Sequence, residues 1–270
     1  MTATVADPAP IPGDDRPIGA PDRPVSAVGP VSAADRRLGW LTSPDVAALA
    51  SGPVAPVLAV PVGSTEQHGP HLPLSTDTDI AVALCERLSA ATPAVVVAPC
   101  LSYGASGEHE GFAGTVSIGQ DALELVLVEL GRSATASFAG VVLVNTHGGN
   151  AAAARRAEQR LAVESRQVLL WMPDWGGDAH AGRTETSLQL ALDDAAVRAD
   201  RAEAGETRPV AELLPALRQH GVAAVSPNGV LGDPAGASAV EGAALLDRVA
   251  AELVGQVTTW RAEWPAGWPR

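Results

Sequence analysis

Four short apolar runs punctuate the middle of the chain: PVLAVPV at 56–62, AVVVAP at 94–99, GVVLVN at 140–145 and QVLLWMP at 167–173. Each is rich in β-branched or aliphatic residues and short enough to read as a buried strand. Helical patterns separate them, at 78–91 (TDIAVALCERLSAA), 121–137 (DALELVLVELGRSATAS) and 150–165 (NAAAARRAEQRLAVES), with another starting at 184–192 (TETSLQLAL). Strands joined by helices of this length cross over rather than fold back as hairpins. The pattern therefore predicts an α/β layered domain with a mainly parallel sheet.

The flanks are less regular. SPDVAALA at 43–50 reads as a short helix with Ser43 as its cap. VAAVSPNGVLG at 222–232 reads as a β-hairpin with Asn228-Gly229 at the turn, and residues 238–264 as a long closing helix. Residues 1–34 are rich in Pro, Ala, Asp and Gly without apolar periodicity, which predicts a disordered tail. The expected domain is 35–264, followed by a short tail at 265–270.

Polar clusters follow three of the four strands. GSTEQHGPHLPLSTDTD follows the first and carries Glu66, His68, His71, Asp77 and Asp79. THGGN follows the third and carries His147. DWGGDAHAGRTETS follows the fourth and carries Asp174, Asp178, His180 and Glu185. In open parallel sheets the crevice at the carboxyl ends of the strands is where ligands bind. Taken singly, each group has an ordinary structural explanation. Asp77 suits the cap of the helix expected to start at 78, Thr184 or Glu185 suits first-turn capping, and HGGN suits a tight turn. Taken together they point to one site. Glu66 and His68 are two residues apart and face one side of an extended segment; Asp77 can return to the same point, and His147 can arrive from a neighbouring strand. Imidazole with carboxylate suits Zn, Fe or Mn rather than Ca or Mg, and one carboxylate can bridge two ions about 3.5–4 Å apart.

Other chemistries lack their signatures. The net charge of −13 argues against nucleic acid as a partner. All 18 basic residues are Arg, which fits a high-GC composition. Cys85 and Cys100 are the only cysteines, with no CxxC spacing; Cys85 reads as a buried thiol, and Cys100 has no base beside it in sequence. There is no HExxH, no GxSxG and no GxGxxG after a strand. No run approaches ~18 apolar residues, and the first residues do not read as a signal peptide, so no membrane partner and a cytoplasmic protein are expected.

The motifs GSTEQHGPHLPLSTD, GFAGTVS, NTHGGN and HAGRTETS, in that order, resemble the creatininase family of amidohydrolases over roughly residues 38–260. Within it the chain resembles most the creatininase-like peptidases of mycofactocin biosynthesis. The resemblance implies a three-layer α/β/α fold, an oligomer that is often hexameric, and two divalent ions per subunit (Fe, Zn or Mn). By motif, Glu66 and His147 would bind one ion and His68 the other, with Asp77 bridging. Glu185 would stand near the metals and His180 would be the catalytic histidine.

Two departures stand out. Creatininase has a ligand Glu where this chain has Gly149, so Glu185 or a water would fill that place. The loop before His180 is shorter than the Trp-bearing lid of creatininase. The implied reaction is cleavage of a peptide bond near the C-terminus of a ribosomally made precursor, releasing its modified Val-Tyr dipeptide. His109 has two open readings, substrate contact and loop structure. The alternatives are a creatinine hydrolase, a formamide hydrolase using Arg155, Arg156 or Arg183 for a phosphate, and a non-enzymatic peptide-binding scaffold.

Overall fold

The computed structural model describes residues 36–265 and 268; the expected tail at 1–34 lies outside them. The sheet has four parallel strands in the order β2-β1-β3-β4: β1 (Val57–Val62), β2 (Val95–Val97), β3 (Gly140–Asn145) and β4 (Val168–Trp171). The helices between them are α2 (Thr76–Ala91), α3 (Gln120–Ala134) and α4 (Ala151–Val163), preceded by α1 (Ser43–Ala50). After β4 come α5 (Arg183–Leu192), α6 (Val210–His220), the single turn α7 (Val222–Val225) and the closing helix α8 (Ala239–Ala262).

Apart from Asn145 at the end of β3, the strands are apolar because both faces are covered. Alternate residues enter different cores. Val57, Ala59, Val142 and Val144 pack with Ile80, Leu84 and Leu88 of α2, Leu188 of α5 and Leu246, Leu253 and Val257 of α8. Leu58, Val60, Val141 and Leu143 pack with Leu123 and Leu127 of α3 and Ala153, Ala157 and Leu161 of α4. This is the expected three-layer α/β/α architecture.

The layering positions the site. The chain leaves β1 towards the α2 layer and leaves β3 towards the α4 layer, although β1 and β3 are paired from Val57↔Gly140 to Val62↔Asn145. Two adjacent strands whose connections diverge open a crevice at their carboxyl ends. The loops carrying Glu66 and His147 both start there.

Two sequence expectations need correction. The cap of α1 is Thr42, not Ser43: Thr42 and Asp45 form a reciprocal capping box, with Pro44 in the first turn. Residues 222–232 do not form a hairpin. Val222–Val225 is a helical turn, Asn228 Oδ1 accepts from Val230 N at 3.1 Å, and Leu231 makes only an isolated bridge to His180. Gly229 keeps φ +82°, yet its role is to let the chain pass Gln67, whose amide a Cβ at 229 would strike. Helix α6, with Pro215 inside it, carries no clear sequence signal. Of the expected tail at 265–270, Trp268 is docked: its indole donates to Ala139 O at 2.9 Å.

Candidate metal centre

Glu66, His68, Asp77, His147 and His180 converge in one buried cluster, with Glu185 at its edge. Glu66 and His68 are fully buried, and His180, the most open of the first five, is 8% exposed. Glu66 Oε2 lies 3.1 Å from His147 Nε2, and Asp77 Oδ2 3.3 Å from His147 Nδ1. On the other side Asp77 Oδ1 lies 3.6 Å and Glu185 Oε2 3.8 Å from His68 Nε2. Asp77 therefore stands between two donor sets, with one oxygen towards each. His180 Nδ1 faces Glu66 Oε1 at 3.9 Å and Glu185 Oε2 at 4.0 Å.

Local structure holds these side chains. Ser64 Oγ donates to Asp77 Oδ2 at 2.7 Å, and Thr146 Oγ1 to Asp77 O at 2.8 Å, tying the α2 start to the loops after β1 and β3. Asp178 accepts from the free backbone N–H groups of Arg183 and Thr184 and so caps α5. Ala181, in the left-handed conformation at φ +51°, directs its N–H to Glu185 Oε2 at 2.6 Å. His180 Nε2 is 2.9 Å from Gln67 O and thus donates to it.

The cluster fits divalent cations. Both oxygens of Glu66 and Nε2 of His68 are buried without a hydrogen-bond partner, a costly arrangement that a bound cation relieves. Three groups bring donor atoms within 4.8 Å of one another: Glu66–Asp77–His147, His68–His180–Glu185 and Glu66–His109–His180. Without cations, protons do the same work. Burial, against the pull of His147, pushes Glu66 up to about 7; burial likewise raises Glu185 to about 7. Burial opposes charge on His68 and His147, yet the surrounding carboxylates, Asp77 and Glu66 foremost, lift them to about 10 and about 9. Asp77 is held well below the usual carboxylate range because the charges of His68 and His147 outweigh its burial. His109 is pressed down to about 3 by burial and by His147, and His180 falls well below the ordinary imidazole range through burial and His68.

The cluster floors a cavity of about 520 Å³, lined by Glu66, His109, His147 and His180 and walled by Val210, Leu214 and Leu217 of α6 with Val222 and Leu231. A family model described as Creatininase: Creatinine amidohydrolase matches residues 40–257. The chain belongs to the creatininase family. Relatives named mycofactocin precursor peptide peptidase match it at 50% identity over 78% of this chain and 87% of theirs, in Mycobacterium ulcerans (strain Agy99), and at 53% over 74% and 82%, in Mycolicibacterium smegmatis (strain ATCC 700084 / mc(2)155). A crystal structure of creatinine amidohydrolase superposes with a TM-score of 0.70 at 25% identity, over 83% of this chain and 97% of that one. A structure titled Creatininase Mn gives 0.68 at 25%, over 86% and 99%. The protein is accordingly a hydrolase of amide or peptide bonds.

Gly149 leaves no room for a side chain. A Cβ at 149 would collide with the Glu108 carboxylate, Ala105 O and the His147 ring. Glu108 Oε1 stands 3.7 Å from His147 Nε2, and Glu185 reaches His68 from the opposite side. In the loop before His180, Trp175 packs onto the core.

Other sequence candidates lie apart. His71 bonds Thr186 Oγ1 at 2.9 Å and belongs to none of the three donor groups. Asp79 takes hydrogen bonds from Ser75 and Gln189. Arg156 pairs with Glu124 and Arg183 with Glu241, away from the cavity lining. Burial raises the Cys100 thiol to about 11, unsuited to a nucleophile. Sequence reasoning passed over Gln67, Ser64 and Glu108, which touch the cluster. Their signal was position: each adjoins or nearly adjoins a motif histidine or acid.

Proposed function

We propose that this protein is a metal-dependent peptidase that acts on the mycofactocin precursor peptide and releases its modified C-terminal Val-Tyr dipeptide. The observation that carries the reading is the cavity. Its floor carries Glu66, His147 and His180, which share donor groups with Asp77, His68 and Glu185, and its wall is a largely apolar surface from α6 and α7 with Arg218. An open, apolar cleft suits a peptide end with aliphatic and aromatic side chains better than a small cyclic amide. The names of the half-identical relatives support the same substrate. We place the reaction in the cytoplasm, where a ribosomally made peptide is available; among the described residues no helix is long and apolar enough to cross a membrane.

In this reading Glu66 and His147 would hold one divalent ion and His68 and Glu185 the other, with Asp77 available to both; Fe, Zn and Mn all suit such donors. When bound, the ions acidify water and polarise the scissile carbonyl. His180 is the proton carrier. Gln67 O fixes its Nε2–H, so Nδ1 faces the cluster with its lone pair free. Nδ1 accepts a proton from the attacking water and returns it to the departing nitrogen as the C–N bond breaks. The reading includes assembly into a homo-oligomer, with Tyr103, Val116 and Ile118 among the exposed apolar residues available to it.

The test is incubation with the modified precursor peptide, products read by mass, beside an Asp77→Ala variant assayed for metal. Release of the dipeptide by the wild type, lost together with metal in the variant, is the expected result. Turnover of creatinine or a formamide with the peptide left intact would move the reading to another branch of the family.

A further inference from the structure

His109 lies in the same cavity and in one of the three donor groups, yet its surroundings suit a different task. The deciding residue is Gln67, which stands between Glu66 and His68 and is 5% exposed. Its amide has three partners. Oε1 accepts from Gly69 N at 2.8 Å, while Nε2 lies 3.0 Å from Gly229 O and 2.8 Å from His109 Nδ1. A backbone N–H can only donate and a carbonyl can only accept, so the amide has one orientation. Its second N–H then points at His109 Nδ1, which must accept. A neutral imidazole that accepts at Nδ1 carries its proton on Nε2. His180 Nε2 is also 3.1 Å from the Gln67 amide nitrogen, but both amide hydrogens are already placed and that ring donates to Gln67 O.

One glutamine thus sets two rings in complementary states on one cavity. His180 turns a lone pair inward, and His109 turns an N–H inward, 3.3 Å from Glu66 Oε1. A protonated ring nitrogen offers no lone pair to a cation, so His109 is a poor ligand despite its place among the donors. Gly229 makes the arrangement possible, because any side chain there would strike the Gln67 amide.

We infer that His109 is a catalytic hydrogen-bond donor to the carbonyl oxygen of the scissile amide, with Gln67 as the positioning residue that fixes its tautomer. This rests on the peptidase reading above. As water oxygen bonds to the carbonyl carbon, the π pair moves to oxygen and the His109 Nε2–H bond to it shortens. On collapse that pair re-forms the carbonyl, the C–N bond breaks with its electrons on nitrogen, and the proton carried by His180 follows. His109 donates a hydrogen bond throughout and ends the cycle unchanged. Preorganised donors of this kind act where charge develops, and a neutral imidazole can polarise a carbonyl in this way.

Three measurements on zinc-loaded protein test this. Nitrogen-15 spectra of wild type should show His109 as the Nε2–H tautomer. His109→Phe should keep the wild-type zinc content while kcat on the precursor peptide falls about 100- to 1000-fold, with KM within about threefold. His109→Gln, which restores an N–H, should recover part of that loss. Gln67→Glu should move the His109 proton to Nδ1 in the spectrum and lower kcat with the ring still present. An Nδ1–H tautomer in wild type, zinc loss in both His109 variants, or an unchanged kcat would overturn the inference. Failure of wild type to cleave the peptide would sink the substrate reading alone, because the tautomer and zinc measurements judge His109 without it.

Discussion

Asp77 shows how much one side chain is asked to do. It lies in the first turn of α2, yet both its oxygens are turned into the cluster, and the Ser64 hydroxyl fixes one of them at 2.7 Å. Partners that orient ligands in this way carry about 10–100-fold in metal affinity, so Ser64→Ala should weaken zinc binding by that factor, as measured by competition with a chelating dye. Gly149 makes the opposite point. Its space is already taken by Glu108, Ala105 O and His147, so Gly149→Ala should cost about 1–3 kcal/mol in thermal unfolding and lower zinc content as His147 is pushed aside. Glu66, His68, Asp77 and His147 were legible because their motifs leave the strands with fixed spacing. Gln67 was not, since a glutamine is recognisable as a positioning residue only once its amide partners, one of them 162 residues away, are known.

At the scale of elements, the four strands and the helices between them were readable from apolar runs and their alternation, because local pattern and burial agree there. The region after α5 resisted for a physical reason. Its apolar residues serve small cores such as Leu213, Val222 and Leu231 with Phe112, too short to impose a period. Asn228-Gly229 looked like a hairpin turn because the same dipeptide also serves wherever the backbone must turn closely past another side chain. Helix α5 ties element to site: Asp178 caps it, and Glu185 projects from its first turn. Asp178→Ala should cost about 1 kcal/mol and, by freeing the turn that holds Glu185, reduce the occupancy of the His68 side of the centre. Urea titration and metal analysis read the two effects separately.

For the whole molecule, protons and cations compete for one cluster. In metal-free protein His68 and His147 have folded-state pKa values near 10 and 9, above their ordinary 6.5. Their contribution is complete below about pH 6.5 and is lost as pH rises through 9 to 10. Glu66 and Glu185, raised to about 7, add a loss in the same direction that starts lower. Asp77, depressed, opposes this only in acid, where its contribution disappears as pH falls through its lowered folded-state value. The melting temperature of chelator-treated protein should therefore fall between pH 7 and 10. Metal affinity should rise over the same window, because the ligands must shed those protons. A metal-free protein whose melting temperature climbs across that window would contradict the electrostatics described here.

The pairing of His180 Nε2 with Gln67 O joins segments 113 residues apart in the chain, and β1, β3 and β4 must be in register before the loops they launch can meet. No fragment that ends before α5 contains a whole centre. Under the metal-dependent reading, a cation would find its full set of donors only in the assembled domain, and a clipped copy that lacks α5 would lack the Glu185 carboxylate.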